Sequence, residues 1–160
     1  MLYFAYGSNL DPEQMRSRCP GSRIVGLASL RNYRLIFPLP SERWGGGVSS
    51  VQPGHGQTVW GALYELTDPD LVALDGWEGF RASGDQHNIY DREQVSVDLV
   101  RADDDSFPRR VRAWIYIARP WKPTPPSRRY LDAILRGARH HRLPDEYIAG
   151  LEALTTEDSA

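Results

Sequence analysis

The sequence predicts an α+β fold in which a mixed, strongly curved or barrel-like β-sheet has short helices packed on its outside. Segments of alternating apolar and polar residues, separated by turn residues, dominate the chain as far as Ala118. Helical spacing of apolar residues is clearest after that point, in two segments that close the chain. No long helix alternates with the strands, which argues against a doubly wound nucleotide-binding fold.

The strand predictions rest on alternation and on the turn residues between segments. The predicted strands are Leu2–Tyr6, Arg23–Leu30, Tyr33–Pro38, Val48–Gln52, Thr58–Leu66, Gln94–Val100 and Arg110–Ala118. Between the last two lies Asp103–Asp105, which we interpret as a solvated hairpin tip and not as a cation site. A short helix is expected around Asp68–Leu74, and two longer ones after Ser127 and Pro144.

Composition limits the function classes that need consideration. The chain has 160 residues, of which 41% are hydrophobic, enough for a single domain over residues 1–160 with its own core. Its 19 basic and 21 acidic residues give a net charge of -2, too near neutral for a protein dedicated to nucleic acid or membrane surfaces. No apolar run approaches the roughly 20 residues needed to cross a bilayer, and the opening segment is predicted as a strand and not a leader.

Cysteine and histidine usage gives no sign of a metal site. Cys19 is the single cysteine, so it cannot form an internal disulfide and offers no zinc-binding spacing. The four histidines are scattered, and the neighbouring pair His140 and His141 is expected to be exposed on a helix. Together with the charge balance, these features favour a cytoplasmic protein without a bound metal.

The first candidate site is the segment that follows the opening strand. It runs into Gly7, Ser8 and Asn9, residue types that tolerate tight or left-handed backbone. Asp11 is expected to cap a helix from Pro12 to about Arg18, with Gln14 as the return half of a capping box. Loop amides and the helix dipole would then converge on one spot, which suits a carboxylate, a phosphate or a developing oxyanion. The alternative is a tight turn without a ligand. Nucleotide binding is disfavoured because the segment lacks the glycines and lysine of a phosphate loop.

The second candidate site is a carboxylate between glycines and aromatic residues in the segment Leu74–Phe80. We expect the preceding helix to end before Glu78, which leaves this residue on a constrained loop between apolar side chains. Such surroundings raise the pKa of a carboxyl group and suit it to proton transfer. The alternative is a surface glutamate in a turn. Asp75 and Glu78 would also suit a glycosidase pair, but we favour a hydrogen bond from the local backbone to Asp75.

These segments together resemble the γ-glutamylcyclotransferase family. Leu2–Leu10 is similar to the signature strand and YGSN loop of that family, and Leu74-Asp75-x-x-Glu78-Gly79 to the segment that carries its catalytic glutamate. Further elements match in order along nearly the whole chain: Val59–Tyr64, Tyr90, Pro125-Pro126-Ser127-x-x-Tyr130, Gly137-Ala138 and Leu143-Pro144-x-x-Tyr147.

The resemblance implies a γ-glutamylcyclotransferase-like fold and an enzyme that needs no cofactor. Its reaction would cyclise a γ-glutamyl group to 5-oxoproline and release the attached amine or amino acid. Glu78 is implied to act as general base and then general acid. The residues implied to bind the γ-glutamyl substrate are Tyr6, Gly7, Ser8, Asn9 and Tyr116. The expected partner is this small molecule and neither nucleic acid nor membrane, and a homodimer is left open.

Two other functions stay open beside this one. The first is a non-catalytic binding module for a small ligand on the same scaffold. The second is removal of a γ-glutamyl protecting group in a biosynthetic pathway. The segment Arg81–Asn88 is longer than in compact members of the family and follows Glu78 directly. We therefore expect it to contact the leaving-group side of the substrate and to set specificity.

Overall fold

A computed structural model describes residues 1–158 and shows five strands in a closed barrel, in the order β1-β3-β2-β4-β5. The strands are β1 (Leu2–Ala5), β2 (Arg23–Ser41), β3 (Gly46–Glu65), β4 (Tyr90–Ala102) and β5 (Arg110–Ala118). The helices are α1 (Pro12–Arg18), α2 (Asp68–Glu78), α3 (Arg128–His140) and α4 (Asp145–Glu152). The predicted α+β class with a closed, curved sheet is confirmed. None of the helices within the described residues is long and apolar enough to cross a membrane.

Strand β1 closes the barrel and makes its sheet mixed. It pairs antiparallel with β3 and parallel with β5, through Tyr3 opposite Trp114. Its side chains alternate between two buried clusters, because successive residues of a strand point to opposite faces. Phe4 lies in a cluster that draws on strands and on no helix, whereas Tyr3 and Ala5 lie in one that joins the barrel to the helices. Burial on both faces explains why this strand is apolar throughout.

The β2–β3 hairpin is longer than the sequence predicts. Four separate strands were expected, but β2 and β3 are continuous over 19 and 20 residues. The interruption near Asn32 is a bulge, where the backbone has a φ of 64° and the register shifts. Strand β4 pairs with β2 only over Gly26–Ser29. The distal part of the hairpin, residues 33–52, which we call the hairpin arm, is held elsewhere by the chain before α3, where Thr124 donates its amide to the Phe37 carbonyl.

Helix α2 extends one turn further than expected, to Glu78 instead of Leu74. Thr67 and Asp70 form a capping box at its start. Gly79 ends it with a left-handed φ of 65°, a conformation that glycine adopts without steric cost. Gly76 therefore lies inside the helix and makes no turn. As a result, Glu78 projects from the last helical position and not from a loop.

Helix α3 fixes the turn that follows β1. Ser127 caps this helix as predicted, by accepting a hydrogen bond from the Tyr130 amide. Further along, Gly137 packs against the backbone of Leu10 so closely that a Cβ atom would overlap it. The expectation that His141 is exposed is wrong: Nε2 lies 3.0 Å from the Leu10 carbonyl oxygen and 3.1 Å from the Tyr64 hydroxyl. Burial lowers the pKa of His141 to about 4, so the ring is neutral at physiological pH.

Candidate active site

A cavity of about 340 Å³ opens where the turn after β1, the end of α2 and the hairpin arm meet. Its lining residues are Tyr3, Tyr6–Asn9, Arg18, Leu39–Ser41, Arg43, Trp44, Val48, Ser49, Trp77, Glu78, Ile89, Tyr90, Tyr116 and Tyr130. The inner end is formed by buried residues such as Asn9 and Arg18, and the mouth by Trp77, which is 50% exposed. The volume falls within the roughly 300–1,000 Å³ typical of small-molecule sites.

The YGSN segment forms one wall of the cavity, but its backbone differs from the expectation. Residues Ser8–Leu10 form a 3-10 turn, and Gly7 has a φ of -108°, so the left-handed conformation anticipated here is absent. Gly7 is required by space instead. A Cβ atom at this position would overlap the Ser49 hydroxyl and lie 3.3 Å from that of Tyr130.

Asn9 connects this turn to the catalytic candidate. Its side-chain nitrogen donates to Glu78 Oε1 at 3.1 Å and to the Tyr3 hydroxyl at 3.0 Å. Its side-chain oxygen accepts from Gln14 and Arg18, each at 3.0 Å. Both donors and both acceptor positions of the amide are therefore used. The structure thus brings Asn9 and Glu78 together, 69 residues apart in sequence.

Helix α1 contributes two side chains that the sequence did not assign to the site. Asp11 caps the helix as predicted, but Gln14 does not complete a capping box; it donates to the Ser8 hydroxyl at 2.8 Å and to Asn9. Arg18 is buried and lies 4.0 Å from Glu78 Oε1. Residues four apart share one face of a helix, so this spacing after the turn was the available signal for Gln14 and Arg18.

Glu78 is the carboxylate among the described residues that line the cavity, and its side chain is 15% exposed. Burial raises its pKa above the ordinary value of 4.5, because the charged form loses hydration. The nearby guanidinium groups of Arg18 and Arg43 and the hydrogen bond from Asn9 oppose this shift. The net effect is a pKa above that of an exposed glutamate, so the carboxyl group gains and loses its proton at a pH closer to neutrality.

Tyr116 lines the cavity, and its hydroxyl group is hydrogen-bonded to Asp75, which lies outside the lining. The hydroxyl donates to Asp75 Oδ1 at 2.6 Å, and Arg92 donates to Asp75 Oδ2 at 2.7 Å. The expected backbone bond to the Asp75 carboxylate is therefore replaced by two side-chain partners from the barrel. This network ties β4 and β5 to α2 one turn before Glu78.

Three further tyrosines surround the cavity with their hydroxyl groups engaged. Tyr6 donates to the Tyr116 carbonyl at 2.5 Å, and Tyr90 donates to the Ser49 carbonyl at 2.7 Å. The Ser49 amide donates to the Tyr130 hydroxyl at 2.9 Å, and the two hydroxyl groups lie 2.7 Å apart. Burial raises the pKa of Tyr130 to about 12. These hydroxyl groups are therefore neutral and fix the cavity wall.

The segment 81–88, which follows Glu78, is held together by hydrogen bonds between its own residues. The buried Asn88 side chain accepts from the Arg81 amide and donates to the Ala82 carbonyl and to Asp91. Arg119 donates to the Asp85 carbonyl. None of the described residues that line the cavity comes from this segment. Residues of the hairpin arm, in contrast, contribute to the lining, so the expected contact of segment 81–88 with the substrate has no support from the shape of the cavity.

The arrangement is suited to acid–base chemistry on a bound polar molecule. A single carboxylate with a raised pKa faces the cavity, with a buried cation beside it and fixed hydrogen-bond donors around it. No group of three His, Cys, Asp or Glu side chains within residues 1–158 is placed to hold a metal ion. The hydroxyl of Ser49 is engaged by Tyr130, and no described residue that lines the cavity is a histidine that would activate it as a nucleophile.

Comparison with known proteins gives consistent matches. The profile of the AIG2-like family matches residues 58–151. The chain is 30% identical to a gamma-glutamylcyclotransferase of Bos taurus and 29% identical to one of Homo sapiens, in each case over 161 residues, 98% of this chain and 80% of the relative. A solved gamma-glutamyl cyclotransferase superposes with a TM-score of 0.86 at 28% identity, covering 99% of this chain and 89% of that one. The crystal structure of an uncharacterised protein from Homo sapiens gives 0.85 at 29% identity, covering 99% and 90%.

Proposed function

This chain is an enzyme of the γ-glutamylcyclotransferase family, within the AIG2-like proteins, and from that premise we propose its reaction. The enzyme cyclises a γ-glutamyl group to 5-oxoproline and releases the attached amine or amino acid. The observation that carries the proposal is the contact of Asn9 in the YGSN turn with Glu78 at the end of α2. This contact supports the proposal because the YGSN turn and one buried carboxylate line the same small cavity.

In the proposed reaction Glu78 carries a proton between two nitrogen atoms of one substrate. Its carboxylate first accepts a proton from the α-ammonium group, which makes that nitrogen nucleophilic. The free amine attacks the γ-amide carbon and forms the five-membered ring. The protonated Glu78 then gives its proton to the departing nitrogen and the C–N bond breaks. The ring nitrogen loses its second proton to the regenerated Glu78 carboxylate, which leaves neutral 5-oxoproline, and that proton passes to the released amine, which departs as an ammonium ion. Because nucleophile and electrophile belong to one molecule, the site need only fold the substrate into a reactive shape.

The charges of the inner cavity support this assignment. A γ-glutamyl group carries one ammonium and one carboxylate at its α-carbon. Glu78 is the carboxylate available for the ammonium, and the buried Arg18 beside it is suited to the α-carboxylate. The first amides of the 3-10 turn, those of Ser8 and Asn9, have no acceptor within the turn itself. They are suited to bind an anionic oxygen of the substrate.

The test compares Glu78→Gln with the wild type on γ-glutamyl compounds, with 5-oxoproline as the readout. Glutamine is nearly isosteric but cannot accept the proton, so turnover should fall by at least the ~10²–10⁴ of one acid–base step. Glu93→Gln, which removes an exposed carboxylate outside the cavity, serves as the matched control and should keep full activity. Near-wild-type 5-oxoproline production by a folded Glu78→Gln protein would overturn the proposal.

A further inference from the structure

The mouth of the cavity carries a second cation, Arg43, which the reaction above does not use. Arg43 lies in the turn of the hairpin arm and is exposed. Its guanidinium carbon is 4.6 Å from the centre of the Trp77 ring, and that of Arg18 is also 4.6 Å from it. Trp77 directly precedes Glu78. The contact of Arg43 with Trp77 therefore joins the hairpin arm to α2 at the entrance of the site.

The turn that carries Arg43 is anchored at its backbone. Arg129 of α3 donates to the Arg43 carbonyl, and the Trp44 ring packs edge-on against Tyr130 with 5.0 Å between the ring centres. Arg129 also lies over the Trp44 ring, 4.9 Å from its centre. With its main chain held on α3 and its guanidinium on the face of Trp77, Arg43 has a fixed place at the mouth.

Arg43 forms no salt bridge among residues 1–158, and its charge acts on Glu78 only at longer range. Two arginines of β2, in contrast, form salt bridges: Arg23 with Glu65 at 3.0 Å and Arg31 with Asp98 at 2.6 Å. The Arg43 guanidinium donates no hydrogen bond to another described residue, so its N–H groups are available to bind a carboxylate in a fork geometry. The lining of the cavity thus has two guanidinium groups, Arg18 and Arg43, against the single carboxylate Glu78.

The charges of the bound substrate indicate which group Arg43 binds. It rests on the proposed function, in which Glu78 receives the α-ammonium and Arg18 is suited to the α-carboxylate. The γ-glutamyl group is then matched, and Arg43 is left with one positive charge on the outer side of Glu78. The part of the substrate that extends towards the mouth is the leaving group. An anionic leaving group would complete the balance.

We propose that Arg43, held against Trp77, is a specificity-determining residue that binds a carboxylate carried by the leaving amine. In a γ-glutamyl amino acid this carboxylate is one carbon away from the nitrogen that departs. The contact is remote from the bond that breaks, so it strengthens binding of the ground state and the transition state together. It should therefore appear mainly in KM.

The experiment uses two substrates that differ only in this charge, γ-glutamyl-alanine and γ-glutamyl-alaninamide. The wild type should show a higher kcat/KM for the acid, and Arg43→Gln should lower the acid-to-amide ratio about tenfold, as expected for loss of one charge-assisted hydrogen bond of about 1.5 kcal/mol. Arg43→Lys, which keeps the charge, should restore part of the ratio. Arg34→Gln removes an exposed arginine of strand β2 outside the cavity and should leave the ratio unchanged. A ratio within twofold of the wild type in Arg43→Gln would overturn the proposal.

A binding arm keeps this test separate from that of the reaction. Calorimetric titration of Glu78→Gln, with and without Arg43→Gln, gives the acid-to-amide ratio of Kd without turnover. If the wild type releases no 5-oxoproline, the proposed function fails, yet a Kd ratio that depends on Arg43 still supports the carboxylate contact. If turnover is normal and neither ratio depends on Arg43, the reaction stands and the role of Arg43 is refuted.

Discussion

Replacing Tyr116 by phenylalanine removes one hydroxyl group and decides whether this residue holds α2 or touches the substrate. The residue is 2% exposed, and its hydroxyl donates to Asp75 Oδ1 at 2.6 Å. A hydrogen bond to a charged group contributes about 1.5–3 kcal/mol to stability. Asp75 keeps its bond with Arg92 and is 20% exposed, so its carboxylate stays partly solvated in the variant. We therefore expect the lower part of that range, about 1.5–2 kcal/mol.

This loss converts into a measurable change in thermal unfolding. A domain of this size shifts by roughly 2–4 °C per kcal/mol, so Tyr116→Phe should lower Tm by about 3–8 °C. The value of kcat should fall as well, because Asp75 lies one turn before Glu78 on α2. KM should change little. A double-mutant cycle with Asp75→Ala should give a coupling energy of about 1.5–2 kcal/mol, which assigns the loss to this one bond.

The opposite pattern would refute the reasoning. If Tyr116→Phe unfolds at the wild-type temperature but has a several-fold higher KM, the hydroxyl binds the substrate directly and its bond to Asp75 has no energetic weight. Circular dichroism for unfolding and 5-oxoproline release for kinetics are sufficient to distinguish the two. The prediction that Tyr116 binds the substrate would then be correct.

Two further predictions concern Gly7 and the pH dependence of stability. Gly7→Ala should lower Tm by several degrees and reduce turnover at least tenfold, because the added Cβ would overlap the Ser49 hydroxyl. Adding Ser49→Ala to this variant should restore most of the lost Tm. A double variant as unstable as Gly7→Ala would contradict the steric explanation. Burial raises the folded-state pKa of Glu78 above 4.5, so the stability contributed by its neutral form is complete below that pH and is lost as the pH rises through the folded-state pKa. Glu78→Gln does not ionise, so the free energy of unfolding of this variant, measured in urea, should rise relative to that of the wild type as the pH increases above about 4.5. A difference that narrows with rising pH would contradict the direction of this pKa shift.

The elements of the fold were predictable where local patterns decide them. The alternation of β4 and β5, the cap at Asp11 and the cap at Ser127 all depend on residues close together in sequence, and the structure confirms them. The end of α2 was misplaced because Asp75-Gly76 looks like a stop signal. The helix instead continues through Gly76 and ends only at Gly79, where the Phe80 amide donates to the Asp75 carbonyl.

The candidate site was predictable in part, for a different reason. Glu78 and the YGSN turn stand out by residue type, but the wall opposite them comes from the hairpin arm. Alternation in a strand gives the face on which a side chain such as Ser49 lies, not the distant element that it will contact. The contact of Arg43 with Trp77 joins residues 34 positions apart through the path of a hairpin whose length the sequence did not reveal.

The four hydrogen bonds of the Asn9 side chain determine when the side chains of the site lose their conformational entropy. They hold the amide, and through it the carboxylate of Glu78, in one orientation before any substrate arrives. Fixing a side chain costs rotamer freedom, and here that cost is incurred once, when the chain folds, and not at each turnover. An aspartate at this position would lose both donors and add a negative charge beside Glu78, whereas an alanine would leave Arg18 without its acceptor. The asparagine of the YGSN turn thus orients the acid–base group Glu78 when the chain folds, before substrate binds.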